Sequence, residues 1–100
     1  MAVEFNGYEI EPGANLRRAD LAGATLVGVN LAGAYLVGAN LRCADLAGAN
    51  LAGATLDESD LVGANLSHVR LSYAFLGGAL LEGANLRRAN LIHAKLKRAN

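Results

Sequence analysis

The chain has few of the residues that mark a catalytic, disulfide-bonded or metal-binding protein. Its 100 residues include one Cys, one Pro, no Trp and two His. A single Cys excludes an intramolecular disulfide framework and is typical of a reducing compartment. Basic and acidic residues number nine each, so the net charge is zero. We therefore expect neither nucleic acid nor an anionic membrane as a partner.

What the chain does have is a leucine at every fifth position, seventeen times without interruption, from Leu16 to Leu96. On an α-helix a step of five residues turns about 140° beyond a full turn, so the leucines would not line one face. On a flat strand an odd step sends successive leucines to opposite sides. They can all point inward if each five-residue unit is a short extended segment followed by a bend. The period therefore predicts an all-β solenoid.

The other positions of the unit agree with this prediction. Two residues before each leucine, fifteen of eighteen positions hold Ala, which suits a narrow core filled by alternating large and small side chains. The residue just before leucine is Asn or Asp at eleven of eighteen positions, where a short side chain can bond to turn backbone. Two residues after leucine, nine of seventeen positions hold Gly, which favours a bend with positive φ.

The units Ala14-Asn15-Leu16-Arg17-Arg18, Ala19-Asp20-Leu21-Ala22-Gly23 and Ala39-Asn40-Leu41-Arg42-Cys43 make the chain resemble the pentapeptide-repeat family. The resemblance extends over residues 14–100. It implies a right-handed quadrilateral β-helix, with four units per coil and about four coils. It also implies a bacterial cytoplasmic protein, and residues 1–11 agree because they carry three Glu and no basic residue of a secretion signal.

Residues 1–13 do not follow the repeat and are predicted to form a cap on the solenoid of residues 14–100. Apolar and polar residues alternate around Asn6-Gly7, which predicts a hairpin that pairs Phe5 with Tyr8 and Val3 with Ile10. A single capping strand is the alternative. The hairpin would cover the N-terminal end of the leucine core.

No equivalent cap follows the last repeat, and solenoid ends need protection. We expect a second copy of this chain, another protein or downstream sequence to cover the C-terminal end. Residues 1–69 hold 3 basic and 8 acidic side chains, and residues 70–100 hold 6 basic and 1 acidic. This asymmetry favours head-to-tail self-association or an acidic partner at the basic residues Arg87, Arg88, Lys95, Lys97 and Arg98, although the charges can also serve only to keep the rod soluble.

Several large apolar residues interrupt the polar outward positions. A coil of four units stacks position n on position n+20, and Phe75 and Leu80 then replace polar residues just before a core leucine. We predict an exposed apolar patch formed by Tyr35, Tyr73, Phe75, Leu80 and Ile92. The alternative is that these side chains are scattered surface residues without a common role.

No catalytic constellation interrupts the repeat. His68 and His93 differ by 25 positions and so fall on different sides of the coil, and Asp57, Glu58 and Asp60 offer too few converging oxygens for a hard-ion site. We expect no cofactor, no metal and no enzymatic activity. Leu21 to Leu41 is uncharged and long enough to span a bilayer, but the five-residue period continues through it, so no membrane segment is predicted.

The sequence predicts a non-enzymatic scaffold that presents a rigid β-helical surface to a protein partner. The family resemblance implies an alternative, a DNA-mimicking protein that binds the type II topoisomerase gyrase and confers drug protection or inhibition. Such mimicry needs a continuous strip of negative charge. The stacked positions Arg17, Asp57 and Lys97 mix signs instead.

Overall fold

The computed structural model describes residues 3–100, and its main feature is a parallel pairing between residues that lie four units apart. Asn15 pairs with Tyr35, Tyr35 with Thr55, and the series ends with Phe75 and Lys95. One coil therefore consists of four five-residue units, and residues at the same place in successive coils form columns along the molecule. The four columns are the aromatic column (Asn15, Tyr35, Thr55, Phe75, Lys95), the Leu80 column (Asp20, Asn40, Asp60, Leu80), the Thr25 column (Thr25, Asp45, Asn65, Asn85) and the Asn30 column (Asn30, Asn50, Arg70, Asn90).

Within each unit of the inner coils, four of the five backbone amides donate to backbone carbonyls. The Leu16 amide donates to the carbonyl of Tyr35 at 2.7 Å, and the Arg18 amide donates to the carbonyl of Val37 at 2.9 Å. The Tyr35 amide donates back to the carbonyl of Ala14 at 2.8 Å. The Ala19 amide donates to the carbonyl of Leu16 at 3.0 Å and closes the turn. Three of these bonds join successive coils, and one bends the chain toward the next unit.

The fifth amide belongs to the residue after leucine, and it depends on the Asn or Asp two residues earlier. The Ala32 amide donates to Asn30 Oδ1 at 3.1 Å, and the Ala52 amide donates to Asn50 Oδ1 at 3.0 Å. Ten units carry this bond. The predicted bond between the short side chain and the turn backbone is therefore confirmed, and it completes the hydrogen bonding of the unit.

The turn after each leucine requires a left-handed residue. All seventeen residues two positions after leucine have positive φ, whether or not they are glycine. A positive φ at the third position of a turn closed between its first and fourth residues is the geometry of a type II turn. The eight non-glycine residues held in this conformation are Arg18, Cys43, Glu58, His68, Tyr73, Arg88, His93 and Arg98.

The core is a column of leucines packed against alanines. From Leu16 to Leu76 every repeat leucine is at most 2% exposed. Leu81, Leu86 and Leu91 are half-buried and Leu96 is exposed, so burial declines along the last coil. Among the described residues, Ser59 is the one buried polar side chain, and it stands where most units have Ala.

The N-terminal residues form a hairpin of β1 (Val3–Phe5) and β2 (Tyr8–Ile10). Its register pairs Val3 with Ile10 and Phe5 with Tyr8, as the sequence predicts. Asn6 and Gly7 both have positive φ, which is typical of the two-residue turn that matches strand twist. Ile10 is buried, and Phe5 and Tyr8 pack half-buried against the leucine core. Met1 and Ala2, the first residues of the predicted cap, lie outside the described residues.

The molecule extends 32 Å along its longest axis and 20 Å along each of the other two. Nowhere in residues 3–100 does the chain form a helix with the length and apolarity that crossing a bilayer requires.

We predict that Gly33→Ala lowers the free energy of unfolding by about 1 kcal/mol, because the turn holds residue 33 at positive φ and a Cβ there is strained. The site is open, with no heavy atom within 4 Å of the added Cβ, so the cost is conformational and not steric. Gly77→Ala is the matched control, since Gly77 does not have positive φ and its Cβ would make ordinary contacts from 3.7 Å outward. Denaturant unfolding measures both; an equal loss in the two variants would contradict the turn argument.

We predict that Ser59→Ala raises the free energy of unfolding by about 1 kcal/mol, because a buried hydroxyl without a partner carries an uncompensated desolvation cost. Ser59 Oγ is buried and has no hydrogen-bond partner among the described residues. Ser67→Ala, at a half-buried turn position, is the control and should change stability little. Thermal unfolding of the original chain and of the two variants measures the difference in stability. A Ser59→Ala variant less stable than the original chain would show that the Ser59 hydroxyl forms a hydrogen bond in solution.

Candidate interaction surface

The aromatic column is where the repeat loses most of its side-chain hydrogen bonds. In four successive coils Tyr35, Thr55, Phe75 and Lys95 replace the Asn or Asp that accepts from the fifth amide in ten other units. The amides of the residues two positions later therefore have no acceptor within residues 3–100; these residues are Val37, Asp57, Gly77 and Lys97. This side of the coil presents four backbone donors in a row along the molecular axis.

Cationic side chains lie over both aromatic rings of the column. Arg17 Cζ lies 4.6 Å from the centroid of the Tyr35 ring, and Lys95 Nζ lies 5.3 Å from the centroid of the Phe75 ring. Both distances are within the range of attraction between a cation and an aromatic face. Each aromatic ring is thus held in place by a charged neighbour from an adjacent coil, while 43% of Tyr35 and 40% of Phe75 stay exposed.

Tyr73 and His93 form a second aromatic contact in the turn that precedes the aromatic column. Their ring centroids are 5.0 Å apart with an interplanar angle of 25°, a stacked arrangement. The Tyr73 amide donates to the carbonyl of Ile92 at 2.9 Å, which holds the two turns together. Tyr73 and Ile92 are each 61% exposed. The two rings occupy the same place in successive coils, so stacking the sequence by whole coils could have predicted their contact; from sequence, His93 is expected to be a solvated turn residue.

The five residues predicted as one apolar patch are all exposed, but they occupy three places. Tyr35 and Phe75 lie in the aromatic column, and Tyr73 and Ile92 lie in the turn before it. Leu80 lies in the next column, beyond the turn at Gly77 and Gly78. Tyr73, Ile92 and Phe75 therefore belong to one side of the coil, and Leu80 borders it.

A notch follows Phe75 where two glycines replace larger turn residues. We call it the Gly77 notch; its volume is about 710 Å³, and it is lined by Val37, Asp57, Glu58, Phe75, Gly77, Gly78, Lys95, Lys97 and Arg98. The two acidic residues lie one coil before the glycines, and the basic residues lie one coil after them. The notch therefore has one acidic wall and one basic wall.

Few of these charges are neutralised by neighbours within the chain. Among residues 3–100 the one salt bridge joins Arg42 to Asp60 at 3.1 Å. Asp57 Oδ1 is shielded from solvent and has no hydrogen-bond partner in the described part of the chain. Coil spacing explains why the two walls do not pair with each other: two coil rises of about 4.8 Å separate Asp57 from Lys97.

The five basic residues singled out by the sequence share the last coil but not one side of it. Lys95, Lys97 and Arg98 belong to the aromatic column and the Gly77 notch. Arg87 and Arg88 lie in the turn between the Thr25 and Asn30 columns, on the other side of the molecule. The structure therefore divides the predicted basic surface into two separate groups.

Residues with reactive or metal-binding side chains remain apart. Cys43 is free and exposed, and His68 lies in a different turn from His93. Within the described range no group of three or more His, Cys, Asp or Glu side chains could hold a metal ion. A second concavity of about 270 Å³ opens at the last coil and is lined by Leu71, Leu76, Leu81, Leu86, Leu91, Leu96, Ala99 and Asn100.

The repeat matches a known family and several solved structures. A family profile described as pentapeptide repeats matches eight copies over residues 14–51, 34–72, 44–83 and 64–100. No curated protein matches the sequence. Among solved structures, the chain is similar to HetL, a pentapeptide repeat protein involved in heterocyst differentiation regulation from the cyanobacterium Nostoc sp. strain PCC 7120. The identity is 36% and the TM-score 0.44, over 88% of this chain and 47% of HetL.

A pentapeptide repeat protein from the Arabidopsis thaliana thylakoid lumen is also similar. Its identity to this chain is 31% and the TM-score 0.37, over 86% of this chain and 67% of that protein. The chain thus spans about half the length of HetL and two thirds of the thylakoid protein.

Proposed function

We propose that this chain, which belongs to the pentapeptide-repeat family, is a non-enzymatic scaffold that binds a protein partner through the side of the coil that carries the aromatic column. In this proposal the chain forms a right-handed quadrilateral β-helix of about four coils, and the partner docks on one of its sides. The observation that carries the proposal is the loss of the Asn and Asp hydrogen bonds in four successive units of this column.

The chemistry of this side suits protein recognition. A partner segment can supply acceptors for the amides of Val37 and Gly77 and can pack against the exposed rings of Tyr73 and Phe75. Tyr and Phe are enriched at the centres of protein interfaces because they bury a large area at low entropic cost. The Thr25 and Asn30 columns offer a partner fewer free backbone donors, since most of their fifth amides already donate to an Asn or Asp side chain of the same unit.

Rigidity is the second support for the proposal. The aromatic column sits on a backbone held by hydrogen bonds to the coil on each side, and its rings are held by Arg17 and Lys95. A partner that binds such a surface loses little entropy in ordering it, since the backbone under the rings is already fixed by the repeat. Binding by a preformed surface fits a scaffold better than it fits an enzyme, whose reacting groups must converge on one point.

Gyrase binding is not the function that the charges support. Duplex DNA presents a regular line of negative charge, and a mimic must do the same. Here the turn positions after the aromatic column run from Arg17 through Val37, Asp57 and Gly77 to Lys97. The sign of the charge changes twice along that line, so no continuous negative strip is available.

Site-specific photo-cross-linking in cells tests the proposal. We expect a photoreactive amino acid at Tyr73 to give a cross-linked protein product, and the same amino acid at Val27 to give none. Val27 is also an exposed apolar turn residue, but it lies between the Thr25 and Asn30 columns, away from the aromatic column. The two positions therefore differ chiefly in their location on the coil.

Phe75→Ser should remove the product formed at position 73, while Val27→Ser should leave it intact. Equal cross-linking at both positions would contradict the proposal, and so would a product that survives Phe75→Ser. Thermal unfolding of each variant checks that the loss is not caused by a change in stability.

A further inference from the structure

Three rows of side chains around the Gly77 notch differ systematically in charge. Residues 55–60 carry the acidic side chains Asp57, Glu58 and Asp60. Residues 75–80, one coil later, carry no charge and include Phe75, Gly77 and Gly78. Residues 95–100, a further coil later, carry the basic side chains Lys95, Lys97 and Arg98. An acidic row, an apolar row and a basic row therefore follow one another along the axis.

This order is self-complementary under one symmetry operation. A two-fold axis that passes through the apolar row, perpendicular to the rod, reverses the direction of a second copy. The apolar row then faces itself, with Phe75 and the glycines of one copy against the same row of the other. The same operation places Asp57 opposite Lys97 and Glu58 opposite Arg98, and it does so twice. A parallel arrangement would instead place like charges against each other.

We propose that the partner of this surface is a second copy of the same chain, packed side by side and antiparallel about the row of residues 75–80. The inference rests on the proposed function, because it names the partner of that same surface. It differs from stacking through the last coil, since it uses the side of the rod and leaves the opening at Leu96 uncovered.

The contacts within one chain favour this arrangement. Asp57, Glu58, Lys97 and Arg98 form no salt bridge within residues 3–100, so their charges are available to a second copy. Gly77 and Gly78 have no side chains and let the two backbones approach at the axis. In the antiparallel dimer the Lys97 ammonium of one copy lies opposite the carboxylate of Asp57 in the other.

The size of the surface sets the expected affinity. Three rows at a spacing of about 4.8 Å, on a molecule 20 Å wide, cover on the order of 300 Å² per copy, well below the roughly 800 Å² per partner of stable complexes. We therefore expect a dimer that forms at high micromolar protein concentration. Because much of the attraction comes from exposed charges, we expect it to weaken as salt rises from about 50 to 500 mM.

Charge reversal tests the proposal by sedimentation velocity of the full chain. One variant combines Asp57→Lys with Glu58→Lys, and the other combines Lys97→Glu with Arg98→Glu. Each variant alone places like charges opposite each other, so each should dimerise at least tenfold more weakly than the original chain. An equimolar mixture of the two should recover a dimer, because every facing pair is then opposite in sign.

The matched control is Arg87→Glu with Arg88→Glu, which makes the same charge change in the same coil but in the turn away from the notch. Its dimerisation constant should stay within about twofold of the original. The proposal is overturned if the original chain stays monomeric up to about 1 mM protein, or if the mixture of the two variants fails to associate. It is also overturned if Leu96→Lys, and not the charge reversals, abolishes assembly, because that result assigns the contact to the end of the rod.

Cross-linking tests the direction of packing. In a Cys43→Ser background, Gly77→Cys places a thiol near the proposed axis, whereas Val37→Cys places it two coils away. In the antiparallel dimer the two copies of residue 37 are separated by about four coil rises, or ~19 Å along the rod. A short bis-maleimide should therefore join two copies through residue 77 and not through residue 37. Efficient joining through residue 37 would indicate parallel packing and overturn the proposal.

The two proposals fail separately. If photo-cross-linking at Tyr73 captures a different protein while the chain stays monomeric, the scaffold function stands and the second copy is the wrong partner. If neither a foreign protein nor a second copy is captured, the surface itself is not a binding site.

Discussion

The structure depends on the closure of backbone hydrogen bonding within a unit of only five residues. An extended segment this short cannot form a conventional strand, because it pairs through one residue on each side before the chain turns. It remains stable because three amides bond to neighbouring coils, one closes the turn, and the last is taken by an Asn or Asp side chain. The positive φ two residues after each leucine follows from the same geometry, and so does the return of every leucine to the axis. The core is thus a consequence of the backbone pattern as much as a cause of it.

Because the repeat bonds four of the five amides and fills the core, the outward positions can vary. Each replacement of Asn or Asp, however, leaves the fifth amide without its acceptor. Phe at position 75, where most units have Asn or Asp, offers no acceptor for the Gly77 amide. That amide must then bond to water or to a partner. A run of such replacements in one column is therefore a surface whose own hydrogen bonding is incomplete. The cation over each aromatic ring provides a different attraction, between a charge and an aromatic face, where the hydrogen bond is missing.

Much of the fold could be predicted from sequence, because it rests on residue types at a fixed spacing. The leucine period predicts the inward positions, Asn6-Gly7 predicts the hairpin register, and stacking by coils of four units predicts the columns. Contacts that depend on side-chain reach could not be predicted this way, such as Arg17 with Tyr35, since the period gives a position and not a rotamer. The amides without acceptors were not predicted for another reason. They exist because Tyr35 and Phe75 do not accept the hydrogen bond that Asn or Asp accepts in other units. The five apolar residues of the predicted patch are divided among three places, because the turn at Gly77 and Gly78 lies between Phe75 and Leu80.

The pairing of each unit with the one four units later also governs which changes of length the protein can tolerate. Inserting or deleting one residue would put every later leucine out of register with the core, since the repeat has no loop to absorb the shift. Deleting one complete unit would leave each later leucine facing inward and every turn intact. It would, however, move each later side chain by one column, so that Lys95 would stack on an Asn column and the aromatic column would be broken. Changes by single units thus preserve the core and rearrange the surface, and only the gain or loss of a whole coil preserves both.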